Sequence, residues 1–119
     1  MSEEIVDLKE VLERVQDDRE LLLELFDIFI EDYPNKLDAI KQASQKKDFE
    51  ALRDAAHSMK GASGNLSAKR LYAIFLKIEQ TAKSNSMDGL EGILKEVEGA
   101  FLDFKNHAAK LKEDFKKSK

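Results

Sequence analysis

Apolar residues recur at helical spacing along almost the whole of this 119-residue chain, and little punctuates them. One proline and five glycines leave long stretches uninterrupted, and no segment alternates apolar and polar residues as a half-buried strand would. This pattern constrains the fold to helices packed on one another. Ile5, Leu8, Leu12 and Val15 predict a short amphipathic helix over residues 4–15. Gln16-Asp17-Asp18 ends it, and Asp17 or Asp18 can cap the next helix. Leu22, Phe26, Phe29, Tyr33, Leu37 and Ile40 trace one face of a helix over about 19–45, with a kink or break expected at Pro34. Asp48 caps a third helix (48–65), and Ser67 is expected to cap a fourth (68–84). A fifth covers about 87–116, where Gly89, Gly92 and Gly99 suggest close helix packing or a frayed start. Short connections make successive helices antiparallel neighbours. The expected architecture is all-α: an up-down four-helix bundle with a short N-terminal helix packed on it, in a single domain spanning residues 1–119.

Composition removes several classes of function. There is no cysteine, hence no disulfide, thiolate metal site or cysteine nucleophile. No apolar run approaches the length of a membrane span, and no secretory leader pattern opens the chain. A cytoplasmic protein without membrane contact is therefore expected. The net charge of −4 argues against nucleic acid. That charge is uneven: residues 1–50 carry 15 acidic and 7 basic side chains, and residues 51–119 carry 9 and 13.

The basic half contains the most unusual stretch, Ala55-Ala56-His57-Ser58-Met59-Lys60-Gly61-Ala62-Ser63-Gly64-Asn65-Leu66. On a helix, positions i, i+3, i+4 and i+7 share a face. His57, Lys60, Gly61 and Gly64 then form one stripe of an imidazole, a cation and two bare lengths of backbone. Each interior glycine costs about 1 kcal/mol relative to alanine, so close approach by another group is implied. Metal binding lacks ligands, since Asp54-x-x-His57 is the sole pair of its kind and His107 has Phe104 at i−3. No phosphate-binding loop, nucleophile elbow or strand to carry either is present. A nucleophilic histidine that carries a phosphoryl group fits, with Lys60 for the phosphoryl charge and the glycines for access. With no machinery for splitting ATP, the phosphoryl group must come from another protein.

Ala56-His57-Ser58-Met59-Lys60-Gly61-Ala62-Ser63-Gly64-Asn65-Leu66 resembles the signature of histidine-containing phosphotransfer (HPt) domains, His-x-x-Lys-Gly followed by small residues. Arg19-Glu20-Leu21-Leu22 and Phe29-Ile30-Glu31-Asp32-Tyr33-Pro34 are similar to the family's second helix, and Leu71 with Ile78-Glu79 to its fourth. The resemblance implies a phosphorelay intermediate, a phosphocarrier rather than an enzyme. It would accept a phosphoryl group from a receiver-domain aspartate and pass it to another. By the same resemblance His57 is the phosphoacceptor, through Nε2, and Lys60 steadies the phosphoryl oxygens. Gly61 and Gly64 leave room for the receiver, and Glu79 hydrogen-bonds the histidine. Response-regulator receivers and a hybrid sensor kinase are the implied partners of a monomer. No cofactor is expected on this chain, the Mg²⁺ belonging to the receiver. Two positions depart from the pattern: Ser67, often glycine in the family, and Phe75, usually smaller. A sensor-kinase hairpin, which would have an acidic residue at Ser58 and a proline at Gly61, fits less well. So does the HPt segment of a chemotaxis-type kinase, since the chain begins at Met1 and ends in a solvated tail. The remaining alternative is a helical adaptor in which His57 is structural.

Overall fold

A computed structural model describes residues 5–117. Five helices follow in order: α1 (Leu8–Arg14), α2 (Arg19–Gln45), α3 (Phe49–Asn65), α4 (Lys69–Lys83) and α5 (Leu90–Lys117). Three of them start where an aspartate supplies the first acceptor. Asp7 accepts from the amide of Glu10 at 3.1 Å, Asp18 from Leu21 at 3.0 Å and Asp48 from Ala51 at 3.1 Å. Each such cap satisfies an amide that has no partner within the helix. The cap at Asp7 also explains why α1 is shorter than the expected 4–15, of which residue 4 lies outside the described residues.

The first four helices end alike. Gln16, Lys47, Ser67 and Asn85 all take a left-handed conformation, with φ of 55°, 55°, 54° and 54°. The amide just after each returns to a carbonyl in the last turn: Asp17 to Leu12 at 2.8 Å, Asp48 to Ala43 at 2.9 Å, Ala68 to Ser63 at 2.9 Å and Ser86 to Thr81 at 3.4 Å. This is the Schellman closure, which usually has glycine at the left-handed position. It reverses the chain within a few residues. At the α2–α3 turn, Asp48 closes one helix and caps the next.

The remaining helix boundaries correct the sequence expectations. Of the kink or break expected at Pro34, the break does not occur, and α2 runs through it. Phe29 and Tyr33 before the proline and Ile40 and Ala43 after it are all buried. Their packing outweighs the roughly 3 kcal/mol that an interior proline costs. Ser67 does not cap α4, whose N-cap is Ala68 without a side-chain bond. Ser67 is instead buried in its left-handed turn, donating its hydroxyl to Glu10 at 2.7 Å. Helix α5 begins at Leu90 rather than near residue 87. Gly89 before it has φ +78°, and Ser86 Oγ accepts from the Asp88 amide at 3.0 Å, so turn geometry occupies those residues. A Cβ at Gly92 or Gly99 would meet nothing within 4 Å, so close packing does not account for either.

Helices α2 to α5 form the bundle, each packed on its two neighbours, while α1 leans on α2. Phe26, Phe75 and Phe104 are fully buried at its centre, with Phe26 meeting Phe104 edge to face at 5.4 Å. Phe75, the departure from the family pattern, thus fills the core. Helix α1 is tied to the α3–α4 turn. The Asp7 amide donates to the Ser67 carbonyl at 2.9 Å, and Lys69 reaches both Glu10 oxygens at 3.0 Å. The Ser67 hydroxyl first, then Lys69, holds the Glu10 carboxyl below its ordinary range.

Candidate functional site around His57

The α3–α4 turn sets the register of the site. Residues equally far from Ala68 in the two directions face each other across the antiparallel pair. His57 is thereby level with Glu79, Lys60 with Leu76 and Gly64 with Tyr72. His57 Nδ1 lies 2.7 Å from Glu79 Oε2, and Lys60 Nζ donates to Glu79 Oε1 at 2.7 Å. A carboxylate can only accept, so His57 Nδ1 carries a proton, and in the neutral ring Nε2 is then the nitrogen with the lone pair.

The three side chains differ sharply in exposure. Glu79 is 5% exposed, Lys60 18% and His57 67%. The imidazole stands well out from the bundle, further than the rim position that its place beside Ala56 suggests. Glu79 is not a solvated surface carboxylate. Its ion pair with Lys60, and next its bond to His57, keep its carboxyl below the ordinary range against the opposing effect of burial. The same hydrogen bond raises the Lys60 ammonium above its ordinary value.

The two glycines lie on opposite sides of His57. Four residues advance about 400° round a helix and seven about 700°. Gly61 is therefore about 40° to the α2 side of His57, and Gly64 about 20° to the α4 side. A Cβ on Gly61 would meet nothing within 4 Å, whereas one on Gly64 would lie 3.3 Å from Cδ2 of Tyr72. Gly61 is bare toward solvent, and Gly64 has the ring of Tyr72 laid against it. Sequence reasoning did not single out Tyr72. The signal was present, since Gly64 and Tyr72 are as symmetric about the turn as His57 and Glu79.

Beyond Gly61, a groove of about 210 Å³ runs between α2 and α3, lined in part by Leu25, Ile28, Ala62 and Leu66. Ile28 there is 61% exposed. Among the described residues no cluster of three His, Asp or Glu side chains is placed to hold a metal ion. No helix among them is long and apolar enough to cross a membrane.

Residues 24–113 match the model of the family described as Hpt domain. The chain belongs to the Hpt domain family. Two solved Hpt structures share the fold. Histidine-containing phosphotransfer protein B (HptB) from Pseudomonas aeruginosa PAO1 superimposes with a TM-score of 0.77 at 27% identity, over 89% of this chain and 96% of that one. The HPT domain of the Hpt sensor hybrid histidine kinase from Shewanella does so with a TM-score of 0.75 at 16% identity, over 92% and 95%. At that lower identity the likeness speaks for the fold alone. No curated protein matches the chain. As an Hpt domain it serves histidine phosphotransfer in two-component phosphorelays.

Proposed function

We propose that His57 is the phosphoacceptor, attacking through Nε2, and that Glu79 keeps it in the reactive tautomer. The observation that carries this reading is the 2.7 Å bond from Nδ1 to a buried carboxylate, which in the neutral imidazole makes Nε2 the nucleophilic nitrogen, on a largely exposed ring. The Nε2 lone pair attacks the phosphorus of a receiver's aspartyl phosphate. The phosphorus–nitrogen bond forms, the bond to the aspartate oxygen breaks, and the carboxylate leaves with the electron pair. The ring retains its Nδ1 proton and gains positive charge, which Glu79 faces directly. In the onward step an aspartate of a second receiver attacks the phosphorus and the phosphorus–nitrogen bond breaks.

Lys60 begins this cycle bound to Glu79, one helical turn from His57. The arriving phosphoryl oxygens are a competing anion for its ammonium, and its role is to hold them. Gly61, exposed and without a Cβ, supports close approach of the receiver on the α2 side, where the Leu25–Ile28–Ala62 groove offers apolar surface. The exposure of His57 weighs against the adaptor reading, which needs the ring as a packing element. The carrier reading extends to the whole chain as one Hpt unit: a monomeric cytoplasmic phosphocarrier without ATP chemistry, served by receiver domains and a hybrid sensor kinase. The Mg²⁺ of the reaction sits on the receiver, whose acidic site suits a basic face.

The test is labelling by a phosphorylated receiver domain. The protein takes up the phosphoryl group, the label is lost in acid and survives base, and His57→Gln abolishes it. A label retained by His57→Gln, or one stable to acid, refutes the proposal.

A further inference from the structure

Glycine at position 64 has two physical explanations. It can clear the path of an incoming receiver, or it can make room for something within the molecule. The geometry separates Gly64 from Gly61 on this point. Gly61 faces open space, while the Tyr72 ring occupies the position beside Gly64, its Cδ2 and Cε2 lying 3.3 and 3.5 Å from where a Cβ would stand. Contact at 3.3 Å is tighter than side chains ordinarily keep, so even an alanine there requires the ring to give by a few tenths of an ångström. The antiparallel register brings the two residues level, as it does His57 and Glu79.

Tyr72 pays for this seat with exposure: 39% of it remains in contact with solvent, one of four large hydrophobic residues so placed among the described residues. Glu79 lies seven residues on, two helical turns along the same face of α4. The ring thus stands at the edge of the phosphotransfer face, on the side away from the Ile28 groove.

We infer that Tyr72 is a specificity-determining residue for the receiver: its ring, seated on the bare backbone of Gly64, forms the α4-side wall of the surface on which the partner docks. Gly64 then serves the receiver through Tyr72 rather than by leaving empty space. The inference rests on His57 being the phosphoacceptor. Tyrosine suits the task, because it offers a large rigid contact area with few rotatable bonds. A ring already fixed against backbone loses little further freedom on binding, and preorganisation of that kind favours affinity.

The experiment compares two donors to His57. One is a phosphorylated receiver domain. The other is phosphoramidate, a small donor whose phosphorus–nitrogen bond breaks, releasing ammonia, as the bond to Nε2 forms. The ratio of receiver-driven to phosphoramidate-driven rates is measured for the unaltered protein, Tyr72→Leu, Gly64→Ala and the double variant. Both rates read the same folded molecules, so the ratio holds where a variant folds incompletely. Tyr72→Leu is expected to lower the ratio roughly fivefold, the scale of one aromatic contact at an interface. The loss should appear in the KM for the receiver rather than in the saturating rate. Gly64→Ala lowers the ratio when Tyr72 is present and adds nothing in the Tyr72→Leu background. An unchanged ratio in Tyr72→Leu overturns the inference. So does a Gly64→Ala effect of equal size in both backgrounds, since Gly64 would then clear the receiver itself. Failure of both donors to label His57 in the unaltered protein overturns the phosphoacceptor reading, and this inference with it.

Discussion

Removing the Glu79 carboxylate is the perturbation with the most definite consequence for phosphotransfer. Oε2 holds the Nδ1 proton of His57 at 2.7 Å, and Oε1 holds Lys60 at 2.7 Å. The side chain is 5% exposed, so water does not readily take its place. A hydrogen bond to a charged group contributes about 1.5–3 kcal/mol. That energy bounds how far the population of correctly protonated, correctly turned imidazole can fall. At a factor of ten per 1.4 kcal/mol, Glu79→Ala should slow transfer to His57 roughly ten- to hundredfold. Glu79→Gln should be milder. Its amide oxygen can accept from His57 or from Lys60 but not from both, and a neutral bond is about half as strong. A loss of roughly three- to tenfold follows for that variant. The assay is rapid-quench transfer from a saturating phosphorylated receiver, paired with ¹⁵N NMR of the imidazole. Unaltered protein should show the proton on Nδ1, and Glu79→Ala a mixture of tautomers. A Glu79→Ala protein that transfers at full rate with its proton still on Nδ1 would refute the role given to Glu79.

Two further predictions concern the scaffold. Lys47 closes α2 in a left-handed conformation, φ 55°, that costs a side-chain-bearing residue about 1–2 kcal/mol. Lys47→Gly should therefore raise the melting temperature, and a fall would show that the lysine side chain outweighs the backbone strain. His107 on α5 titrates below its ordinary 6.5, chiefly because it is partly buried and further because of Lys110, with Asp114 opposing. Its Nε2 is buried without a hydrogen-bond partner. A lowered value means that the unfolded chain takes up the proton first, so this stability is present above pH 6.5 and is lost as the pH falls below it. Thermal melts at pH 7.5 and 5.5 should show a smaller acid loss for His107→Gln than for the unaltered protein; equal losses would remove His107 from the acid response.

What the sequence made legible follows from where its signals are local. The aspartate cap at Asp48 could be read directly, and the cap of α2 to within Asp17 or Asp18, because a cap is one residue ahead of an apolar period. The left-handed form of the turns that close the helices could not. The four Schellman closures described use Gln16, Lys47, Ser67 or Asn85 in place of glycine, and of these only Asn85 is a residue type that favours a left-handed turn. Ser67 was therefore taken for a cap, although its hydroxyl belongs to Glu10 on a distant helix. The position of Ser67 where the family often has glycine gains a physical meaning here: the turn demands positive φ. The helix is unbroken at Pro34 for the opposite reason, since its local cost is overridden by buried neighbours on both sides. At the site, reflecting His57 through the α3–α4 turn brought Glu79 within reach. Its burial, and its simultaneous hold on Lys60, depend on packing between helices that no local pattern carries. Gly64 reads like Gly61 in the sequence and differs from it only once Tyr72 is placed.

In the proposed mechanism, tautomer control by Glu79 dictates which ring nitrogen becomes phosphorylated. The most direct measurement is NMR of the phosphorylated protein, using the coupling between ³¹P and the ring to locate the phosphoryl group. Phosphorus on Nε2 of His57, with the proton retained on Nδ1 beside Glu79, is the expected result. Phosphorus on Nδ1 of His57, or on any other residue, would contradict it.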